Sequence, residues 1–570
     1  MTDDKPSKTE HIKEASDFLR GTIREGLVHV ETGAISDDDT QLIKFHGSYM
    51  QDDRDVRGER AKKKLDKAYS FMVRLRIPGG LVTSSQWRQL DDIAVIYGNK
   101  TLRITTRATF QFHGVIKSNL KRAMQAIYAS GLDSIAACGD VTRGVMSIAN
   151  PYLSKAHREA YELAKRTSLH FLPKTEAYSD IWLNGEPIPG KETTKPEKET
   201  IYGQTYLPRK FKFVFAVPPD NDVDVFAHDC GFIAIVEKGE IVGWNVTAGG
   251  GMGMTHGVAE TFPRLGDVLG YCSHERAIEV AEAILTIQRD WGNRSNRARA
   301  RLKYTIEDHG LENFKAEINK RLGYDLAPAR PYTFTRNGDH IGWRQGEDKK
   351  WHLTLYVESG RIKDVPGHRL RSAMRAIADL DVCDFVMTAN QNLILANISA
   401  RNKAKVEKVL ADHGVAPKSL SGARRNSIAC VALPTCALAL AESERYLPHF
   451  LTKFESILDN AGLKDEEIVV RMTGCPNGCG RPYLGEIGFV GRSPGLYNLY
   501  LGAAFDGARM NKLYAQDVDE EKALKLLEPI VQHYAKDREK GEHFGDFTIR
   551  AGYVKPTLVS NQFHNDVKLA

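Results

Sequence analysis

The stretch Cys430-Val-Ala-Leu-Pro-Thr-Cys436, with the later Cys475-Pro-Asn-Gly-Cys479-Gly-Arg481, is the part of this 570-residue chain around which the rest is organised. Five residues separate the first two cysteines and three separate the second two. Two such loops, brought together, offer four thiolates to one metal centre. Residues 473–480 are small and turn-forming, so this backbone can approach a cluster closely and direct amide N–H groups at its sulfurs.

The cysteine spacing alone fits three kinds of site. An iron–sulfur cluster takes four cysteine thiolates, and the spacing favours it. A structural zinc site also takes four cysteines, but it usually holds them in knuckles with two to four residues between partners. The pair Cys430 and Cys436 is wider than such a knuckle. A disulfide is the third kind, and it needs an oxidising compartment.

The length and composition of the chain indicate a globular protein of several domains. A chain of 570 residues exceeds what one hydrophobic core organises, so we expect about two to four domains. Hydrophobic residues make up 42% and charged residues 27%, which is typical of soluble proteins. The net charge is only +6 and no long basic run is present, which argues against a nucleic-acid partner.

The sequence also indicates a cytoplasmic protein without a membrane anchor. Its first ten residues are polar, and no apolar stretch reaches the roughly 18 residues of a transmembrane helix. Eight cysteines without a signal peptide indicate a reducing compartment, in which thiols are free to bind metal. Four of the eight are scattered singly, and we interpret each as a buried reduced cysteine: Cys138, Cys230, Cys272 and Cys383.

A strand–helix–strand unit occurs twice in the chain. Residues 71–80 alternate as a strand that Pro-Gly-Gly ends, and residues 351–360 repeat that strand and its glycine turn. In the first unit we predict a helix over Ser85–Tyr97 with Ser85 as its N-cap. A second strand is predicted over residues 101–114.

Two further correspondences indicate that the whole plan is duplicated. The motif I-T-x-R at residues 104–107 corresponds to M-T-x-N at residues 387–390, and residues 232–249 parallel residues 487–502. We therefore predict an α+β fold of duplicated mixed and antiparallel sheet units related by a pseudo-twofold axis. The first copy has no cysteines at the positions matching Cys475 and Cys479, so only the second copy holds a cluster.

The arrangement C-x5-C…C-P-N-G-C-G resembles that of the siroheme-containing sulfite and nitrite reductases, and the resemblance extends from about residue 18 to the C-terminus. It implies three domains around a siroheme–4Fe-4S centre. It also implies that Cys430, Cys436, Cys475 and Cys479 all bind the one 4Fe-4S cluster, and that Cys479 bridges to the siroheme iron as its axial ligand.

The resemblance and the duplication together divide the chain. Residues 1–70 are predicted to form an extended, partly disordered N-terminal arm that faces a partner subunit. Residues 71–136 and 343–412 form a pair of ferredoxin-like half-domains. Residues 137–342 form a first siroheme-binding domain without a cluster, and residues 413–570 form the second, which binds siroheme and the cluster.

Siroheme carries eight carboxylates, so a protein that buries it must supply many cationic donors. Arginine suits this task because its planar fork matches a carboxylate. Without the resemblance, Arg103 and Arg107 can be charges on an edge strand, and Gly249–Gly253 can be a flexible loop rather than backbone packed against a flat ligand. The siroheme contacts implied by the resemblance are Arg103, Arg107, Gln111, His113, Arg209, Gln391 and Asn477.

The implied substrate is sulfite, a small oxyanion that takes up electrons and protons. Permanent positive charges would bind it, polarise its S–O bonds and deliver protons, and crowding lowers a lysine pKa. By composition alone, the alternating Lys210 and Lys212 are typical of a solvated strand face, and the basic segment Arg294–Lys303 has the same simple explanation. The resemblance instead assigns anion binding and catalysis to Arg74, Arg143, Lys210 and Lys212.

The implied activity is the assimilatory six-electron reduction of sulfite to sulfide. The chain has no flavin or NADPH fingerprint, so its electrons must come from another protein, and the resemblance implies an NADPH-oxidising FAD/FMN flavoprotein subunit. A ferredoxin-dependent sulfite or nitrite reductase is the alternative. A dissimilatory enzyme is disfavoured because no extra C-x2-C-x2-C run is present. A non-enzymatic iron–sulfur or zinc protein would explain the cysteines but not the cationic segments.

Overall fold

The computed structural model describes residues 5–193, 196–415, 420–567 and 569–570. Within them the chain builds four five-stranded sheets and one two-stranded ribbon, flanked by helices. The predicted α+β class is therefore confirmed. No helix among the described residues is long and apolar enough to cross a membrane. Of the N-terminal arm that is predicted to be partly disordered, residues 1–4 lie outside the described residues, whereas residues 8–14 form a helix.

The N-terminal segment adds an edge strand to the first sheet. Its elements are helices α1 (Lys8–Glu14), α2 (Ile23–Val28) and α3 (Asp37–Leu42), strand β1 (Ser48–Asp52) and helix α4 (Arg57–Lys62). Helix α3 begins where the Ser36 hydroxyl accepts the N–H of Asp39, a common N-cap arrangement. Strand β1 pairs antiparallel with the strand that starts at Tyr69, with Ser48 opposite Val73.

The first ferredoxin-like unit follows directly. It consists of β2 (Tyr69–Arg74), β3 (Leu81–Val82), α5 (Ser84–Ile96), β4 (Leu102–Ile104), β5 (Phe110–Val115) and α6 (Lys117–Ala129). Two predictions here are wrong. The N-cap of α5 is Thr83, because Thr83 and Gln86 form a reciprocal capping box. The second strand is interrupted, because residues 105–109 turn sharply and Ala108 adopts a positive φ of 49°.

The next domain carries a mixed sheet. Its elements are β6 (Met146–Ser147), α7 (Lys155–His170), α8 (Ala177–Trp182), β7 (Phe213–Ala216), β8 (Cys230–Glu237), β9 (Glu240–Ala248), β10 (Asp267–Ser273), α9 (Ala277–Trp291), α10 (Leu302–His309) and α11 (Leu311–Leu322). The strand order is β10-β9-β8-β7-β6. Strands β6, β7 and β8 run parallel, whereas β8, β9 and β10 run antiparallel.

The second ferredoxin-like unit repeats the first. It contains β11 (Gly342–Gln345), β12 (Trp351–Leu355), β13 (Arg361–Ile362), β14 (Asp364–Val365), β15 (His368–Arg369), α12 (Leu370–Leu380), β16 (Asp384–Met387), β17 (Leu393–Ile398) and α13 (Ala400–Asp412). The two sheets are ordered β1-β2-β5-β4-β13 and β11-β12-β17-β16-β3. Each unit therefore donates one short strand to the edge of the other sheet, as a pseudo-twofold axis requires.

The C-terminal domain repeats the mixed sheet. It contains α14 (Gly422–Arg425), β18 (Ser427–Ala429), α15 (Leu447–Asn460), β19 (Val470–Thr473), β20 (Ile487–Ser493), β21 (Leu496–Leu501), β22 (Lys512–Val518), α16 (Glu520–Asp537) and α17 (Phe544–Arg550). Strands β18, β19 and β20 run parallel, and β20, β21 and β22 run antiparallel. The order and directions match those of β6–β10, so the duplicated plan is confirmed.

The hydrophobic core is divided into clusters, and one of them joins the two mixed-sheet domains. One core extends from Leu19 to Val415, and a second fills the C-terminal domain from Ala423 to Val554. A small third cluster joins residues of both mixed-sheet domains, among them Met252 and Tyr483. The two mixed-sheet domains therefore pack against each other here, and Met252 lies close to the predicted site residues Asn477 and Cys479.

Candidate functional site

The four cysteines lie where parallel strands of the C-terminal sheet end. Cys430 directly follows β18, and Cys475 follows β19 after a single glycine. Because β18 and β19 are parallel neighbours, the residues after them emerge at the same sheet edge. The N–H of Cys430 donates to the Met472 carbonyl at 3.3 Å, which fixes the start of the first cysteine loop.

The thiols are close enough to influence one another. Burial raises the pKa of Cys430, and the nearby thiols of Cys479, Cys475 and Cys436 raise it further. Burial also raises the pKa of Cys475, to about 11. Two donors already face sulfur, because the Gly474 N–H lies 3.3 Å from Cys430 Sγ and Asn477 Nδ2 lies 3.5 Å from Cys475 Sγ. A bound metal centre would supply the positive charge that holds these groups as thiolates.

Glycines allow the second cysteine loop to pack closely. A Cβ on Gly474 would lie 2.5 Å from the Ala441 carbonyl oxygen, and one on Gly478 would lie 2.6 Å from that of Met252. Gly478 also has a positive φ of 63°. The N–H of Met254 donates to the Pro476 carbonyl at 2.8 Å, so the glycine-rich loop of the cysteine-free domain interlocks with the cysteine loop.

A cavity lined by cations lies beside Cys479. Predicted residues from five separate segments of the chain line it: Arg74, Arg107, Arg143, Lys210, Lys212, Asn477 and Cys479. Its lining, as far as the structure describes it, contains no Asp or Glu. Such a site is suited to a ligand with many negative charges, because each anionic group can find a cation that has no carboxylate in the same wall.

The two predicted lysines of this cavity have lowered pKa values. Burial and the neighbouring Arg143 and Arg301 lower the pKa of Lys210 to about 7. Burial and the adjacent Lys210 lower the pKa of Lys212 well below its usual range. Both groups therefore release protons more readily than ordinary lysines, and an incoming anion would favour their charged forms.

The remaining predicted siroheme contacts support the site from outside the cavity lining. Arg103 pairs with Glu444 at 2.7 Å and donates to the Ala429 carbonyl at 2.9 Å. The Gln391 amide donates to the same carbonyl and accepts the Ala429 N–H, at 2.8 and 3.1 Å. Since Ala429 precedes Cys430, both side chains fix the strand that delivers the first cysteine.

Three more predicted residues lie around these groups. The Gln111 amide oxygen, turned toward Arg74, accepts from its Nε and Nη2 at 3.1 and 2.6 Å and so orients that guanidinium. His113 is buried, and burial together with Arg361 lowers its pKa. Arg209 is half-buried near Asp140, and burial lowers its pKa to about 10.

Sequence reasoning missed several residues of the cavity wall. Arg301 lines the cavity and pairs with buried Asp229 at 2.8 Å, although its basic segment also suits a solvated face. Buried Lys303 holds the glycine-rich loop, donating to the carbonyls of Gly251 and Gly253 at 3.1 and 2.7 Å. The alternation of Arg299, Arg301 and Lys303 gave no signal of this burial, which depends on contacts distant in sequence.

The predicted buried cysteine Cys138 also belongs to this neighbourhood. Arg74 Nη1 lies 3.0 Å from its sulfur, and the Tyr49 hydroxyl hydrogen-bonds to both Cys138 and Arg143. The Arg74 guanidinium lies 6.0 Å from the centre of the Tyr49 ring. Tyr49 comes from the N-terminal segment, so strand β1 brings an additional side chain to Arg74 and Arg143, two of the predicted anion-binding residues.

A larger cavity, of about 630 Å³, lies elsewhere, between the second ferredoxin-like unit and the C-terminal domain. Its wall mixes carboxylates such as Glu358 and Glu444 with cations such as Arg361. Volume alone does not identify the functional site, because a polyanion requires an excess of cations. As far as the structure describes the two linings, the cavity beside Cys479 has seven lysine and arginine side chains and no carboxylate, whereas the larger cavity has four such cations and two carboxylates.

Comparison with known proteins places this geometry in a family. The model of the nitrite and sulphite reductase 4Fe-4S domain matches residues 162–326, and that of the nitrite/sulfite reductase ferredoxin-like half domain matches residues 63–130 and 344–413. A relative from Methylobacterium nodulans, named sulfite reductase (NADPH) hemoprotein beta-component, is 59% identical over 98% of this chain and 93% of its own length. The chain belongs to the nitrite and sulfite reductase family.

Other matches agree with this nitrite and sulfite reductase assignment. A relative of the same name from Staphylococcus saprophyticus is 53% identical, over 99% of this chain and 98% of its own length. The solved structure of the Mycobacterium tuberculosis NirA protein has a TM-score of 0.76 and 23% identity, and the match covers 96% of this chain and 97% of that one. The latter likeness shows that the fold is shared.

Siroheme and one 4Fe-4S cluster are the cofactors of this family of reductases, and the residues present fit both. The four cysteines and the N–H groups facing their sulfurs suit a cluster. Among the described residues, we find no group of three or more His, Cys, Asp or Glu side chains that could hold a single metal ion. A 4Fe-4S cluster needs a wider arrangement, with one cysteine for each iron. The buried Arg107 Nε has no hydrogen-bond partner in the part of the chain that the structure describes, so it remains available to a carboxylate.

Proposed function

We propose that this chain catalyses the six-electron reduction of sulfite to sulfide as an assimilatory sulfite reductase hemoprotein. The observation that supports this most strongly is the cavity of cations without carboxylates beside Cys479. The relatives from Methylobacterium nodulans and Staphylococcus saprophyticus are both named as sulfite reductases, which supports the same reaction. Siroheme coupled to the cluster supplies single electrons repeatedly at one position, so that partly reduced sulfur need not leave.

We assign the residues as follows. The thiolates of the four cysteines would hold the cluster, and Cys479 would also serve as a ligand of the siroheme iron. Arg74, Arg143, Lys210 and Lys212 bind the oxyanion and polarise its S–O bonds. Carboxylates of siroheme are held by side chains within and around the cavity, namely Arg103, Arg107, Gln111, His113, Arg209, Gln391 and Asn477.

Protons are required as well as electrons. Converting sulfite to the hydrogen sulfide anion consumes six electrons and seven protons and releases three waters. Lys210 and Lys212 are suited to delivering protons because their pKa values are lowered by burial and by neighbouring cations. The permanently charged Arg74 and Arg143 then keep the oxyanion bound when a lysine has given up its proton.

The electron donor that we propose is an NADPH-oxidising FAD/FMN flavoprotein subunit. The beta-component names of the relatives support a partner chain. In the loop after Cys436, Leu438 keeps 64% of its surface exposed, which gives a donor an apolar contact close to the cluster. If so, Leu438→Glu raises the KM for the flavoprotein but leaves the rate with a small reductant such as reduced methyl viologen unchanged.

We also propose the four-part division of the chain and a cytoplasmic location. The matching strand orders of the two mixed sheets support the boundaries 137–342 and 413–570, and the strand exchange supports pairing 71–136 with 343–412. Residues 1–70 then act as the arm. All eight cysteines are free, which suits a reducing compartment.

The test is anaerobic turnover with reduced methyl viologen, comparing kcat/KM for sulfite and for nitrite on one preparation. The dye bypasses the natural donor, so the measurement reports on the site itself. A preference for sulfite with stoichiometric sulfide supports the proposal. A preference for nitrite with ammonia as product would assign the site to nitrite reduction instead, and a preparation without a porphyrinoid absorption spectrum would contradict both.

A further inference from the structure

Arg54 connects the N-terminal segment to the loop that carries Cys436. Its Nη2 donates to the backbone carbonyls of Cys436 and Ala439, both at 2.8 Å. Its own backbone N–H donates to the Pro434 carbonyl at 3.3 Å. One residue therefore contacts this loop on both sides of the cysteine.

A second contact strengthens the attachment. Asp55 accepts two hydrogen bonds from the Arg445 guanidinium, at 2.7 and 3.4 Å. Arg445 lies at the far end of the same cysteine loop, just before α15. Residues 54–55 thus hold the loop near Cys436 and again near its end, although about 380 residues of sequence separate them from it.

The charge of Arg54 is placed to affect a metal centre. Arginine keeps its positive charge at any working pH. Its guanidinium reaches the Cys436 carbonyl, and its Nε is buried with no hydrogen-bond partner among the described residues. A fixed cation next to a cluster ligand stabilises the reduced cluster more than the oxidised one, because reduction adds a negative charge.

We propose that Arg54 is a positioning residue for the cluster, which fixes the Cys436 loop and raises the reduction potential of the centre that this loop binds. The inference rests on the proposed function, since the potential exists only if the cluster does. The contacts themselves do not depend on the cofactor. The arm therefore completes the metal site of this chain in addition to any contact with a partner subunit.

The experiment compares Arg54→Gln and Arg54→Lys with the matched control Arg57→Gln. Arg57 lies in the same segment, but its guanidinium donates to Asp52, at 2.8 Å from both Nε and Nη2. The first measurement is an EPR-monitored redox titration of the purified protein. We expect a more negative cluster potential in Arg54→Gln, a potential close to wild type in Arg54→Lys, and no shift in Arg57→Gln.

The second measurement is hydrogen exchange over residues 430–445, which reports on the loop even if no cluster is bound. We expect exchange about fivefold faster in Arg54→Gln than in Arg57→Gln, as the loss of roughly one net hydrogen bond predicts. Arg54→Gln with the potential and the exchange of the control would overturn the proposal. A wild-type protein without a cluster signal would instead contradict the proposed function, and the exchange data would still decide the role of Arg54 in the loop.

Discussion

The hydroxyl of Thr106 donates a hydrogen bond to the backbone carbonyl of Cys479 at 2.8 Å. The turn between β4 and β5 in the first ferredoxin-like unit thereby fixes the last of the four cysteines. Arg481 completes this junction, since it donates to the carbonyls of Thr106 and Ala389, both at 3.0 Å. Those two residues hold equivalent positions in the duplicated units, so Arg481 lies close to the pseudo-twofold axis.

Thr106→Val keeps the shape of the side chain but removes this donor. We expect kcat/KM for sulfite to fall about fivefold, the factor that one net hydrogen bond of about 1 kcal/mol represents. The spectrum of the coupled centre should change as well, because Cys479 loses a constraint. Thr40→Val is the matched control, since among the described residues the Thr40 hydroxyl bonds only to the nearby carbonyls of Ser36 and Asp37. An unchanged rate and spectrum in Thr106→Val would show that the bond is dispensable.

Asp224 is fully buried and neutralises two arginines of the C-terminal domain. It accepts from Arg471 Nη1 at 2.6 Å and from Arg481 Nε. Burial alone would raise its pKa, but Arg471 and Arg481 outweigh that effect and lower it. Asp224→Asn leaves buried positive charge uncompensated, so we expect the free energy of unfolding to fall by about 3–5 kcal/mol.

Urea denaturation measures this loss, with Asp308→Asn as the control. Asp308 is 46% exposed and pairs with Arg299 at the surface, so its removal should cost less than about 1 kcal/mol. Equal stability losses in the two variants would mean that the Asp224 contacts are not the source of the stabilisation.

The ionisation of Glu444 is expected to make the free energy of unfolding depend on pH. It accepts from Arg103 and Arg361, which belong to the two ferredoxin-like units. Burial would raise its pKa, but Arg361 and Arg103 lower it from 4.5 to about 2. A depressed carboxyl pKa adds stability above its unfolded value, and that contribution is lost as the pH falls from about 4.5 toward 2.

Glu444→Gln should therefore be less stable than wild type at neutral pH and should show a flatter decline between pH 4.5 and 2. Unfolding free energies measured across this range test the idea. Glu312→Gln serves as the control because that side chain is 82% exposed. If the unfolding free energies of wild type and Glu444→Gln declined in parallel between pH 4.5 and 2, Glu444 would not be the source of the pH dependence.

Lys210 should determine how turnover depends on pH. Its pKa is lowered to about 7, first by burial and then by Arg143 and Arg301. As a proton donor it works in the protonated form, so kcat with a reduced dye should fall as the pH rises above about 7. Bound anions favour the charged lysine and would move this fall upward.

Lys210→Arg tests this assignment, because arginine keeps the charge but does not titrate near neutrality. We expect a lower maximal rate and a flat profile between pH 6 and 9. Lys155→Arg, at a surface position with a 56% exposed side chain, should reproduce the wild-type profile. A wild-type profile in Lys210→Arg would exclude this residue as the titrating donor.

The family and the duplicated α+β plan were predictable from the amino-acid sequence alone, and the four cysteines that we propose as cluster ligands were visible there as well. These features are local or repeated. A C-x5-C or C-P-N-G-C motif can be recognised from neighbouring residues alone, and a duplicated strand pattern can be recognised by comparing one part of the sequence with another. The two wrong predictions also concerned local structure, namely one helix start and one strand. Thr83 rather than Ser85 caps α5 because the reciprocal bonds with Gln86 decide the helix start, and residues 105–109 turn because Ala108 takes a left-handed conformation.

Which charged side chains face the cavity, and which are neutralised by a partner, could be read only from the folded protein. Arg301 and Lys303 are buried, and Arg103 is paired with Glu444 from a position 341 residues away. Tyr49 and Arg54 reach the site from the N-terminal segment because β1 joins the sheet of the first unit. The physical reason is that burial and electrostatic pairing are set by whatever packs against a side chain, and here the partners come from segments hundreds of residues apart.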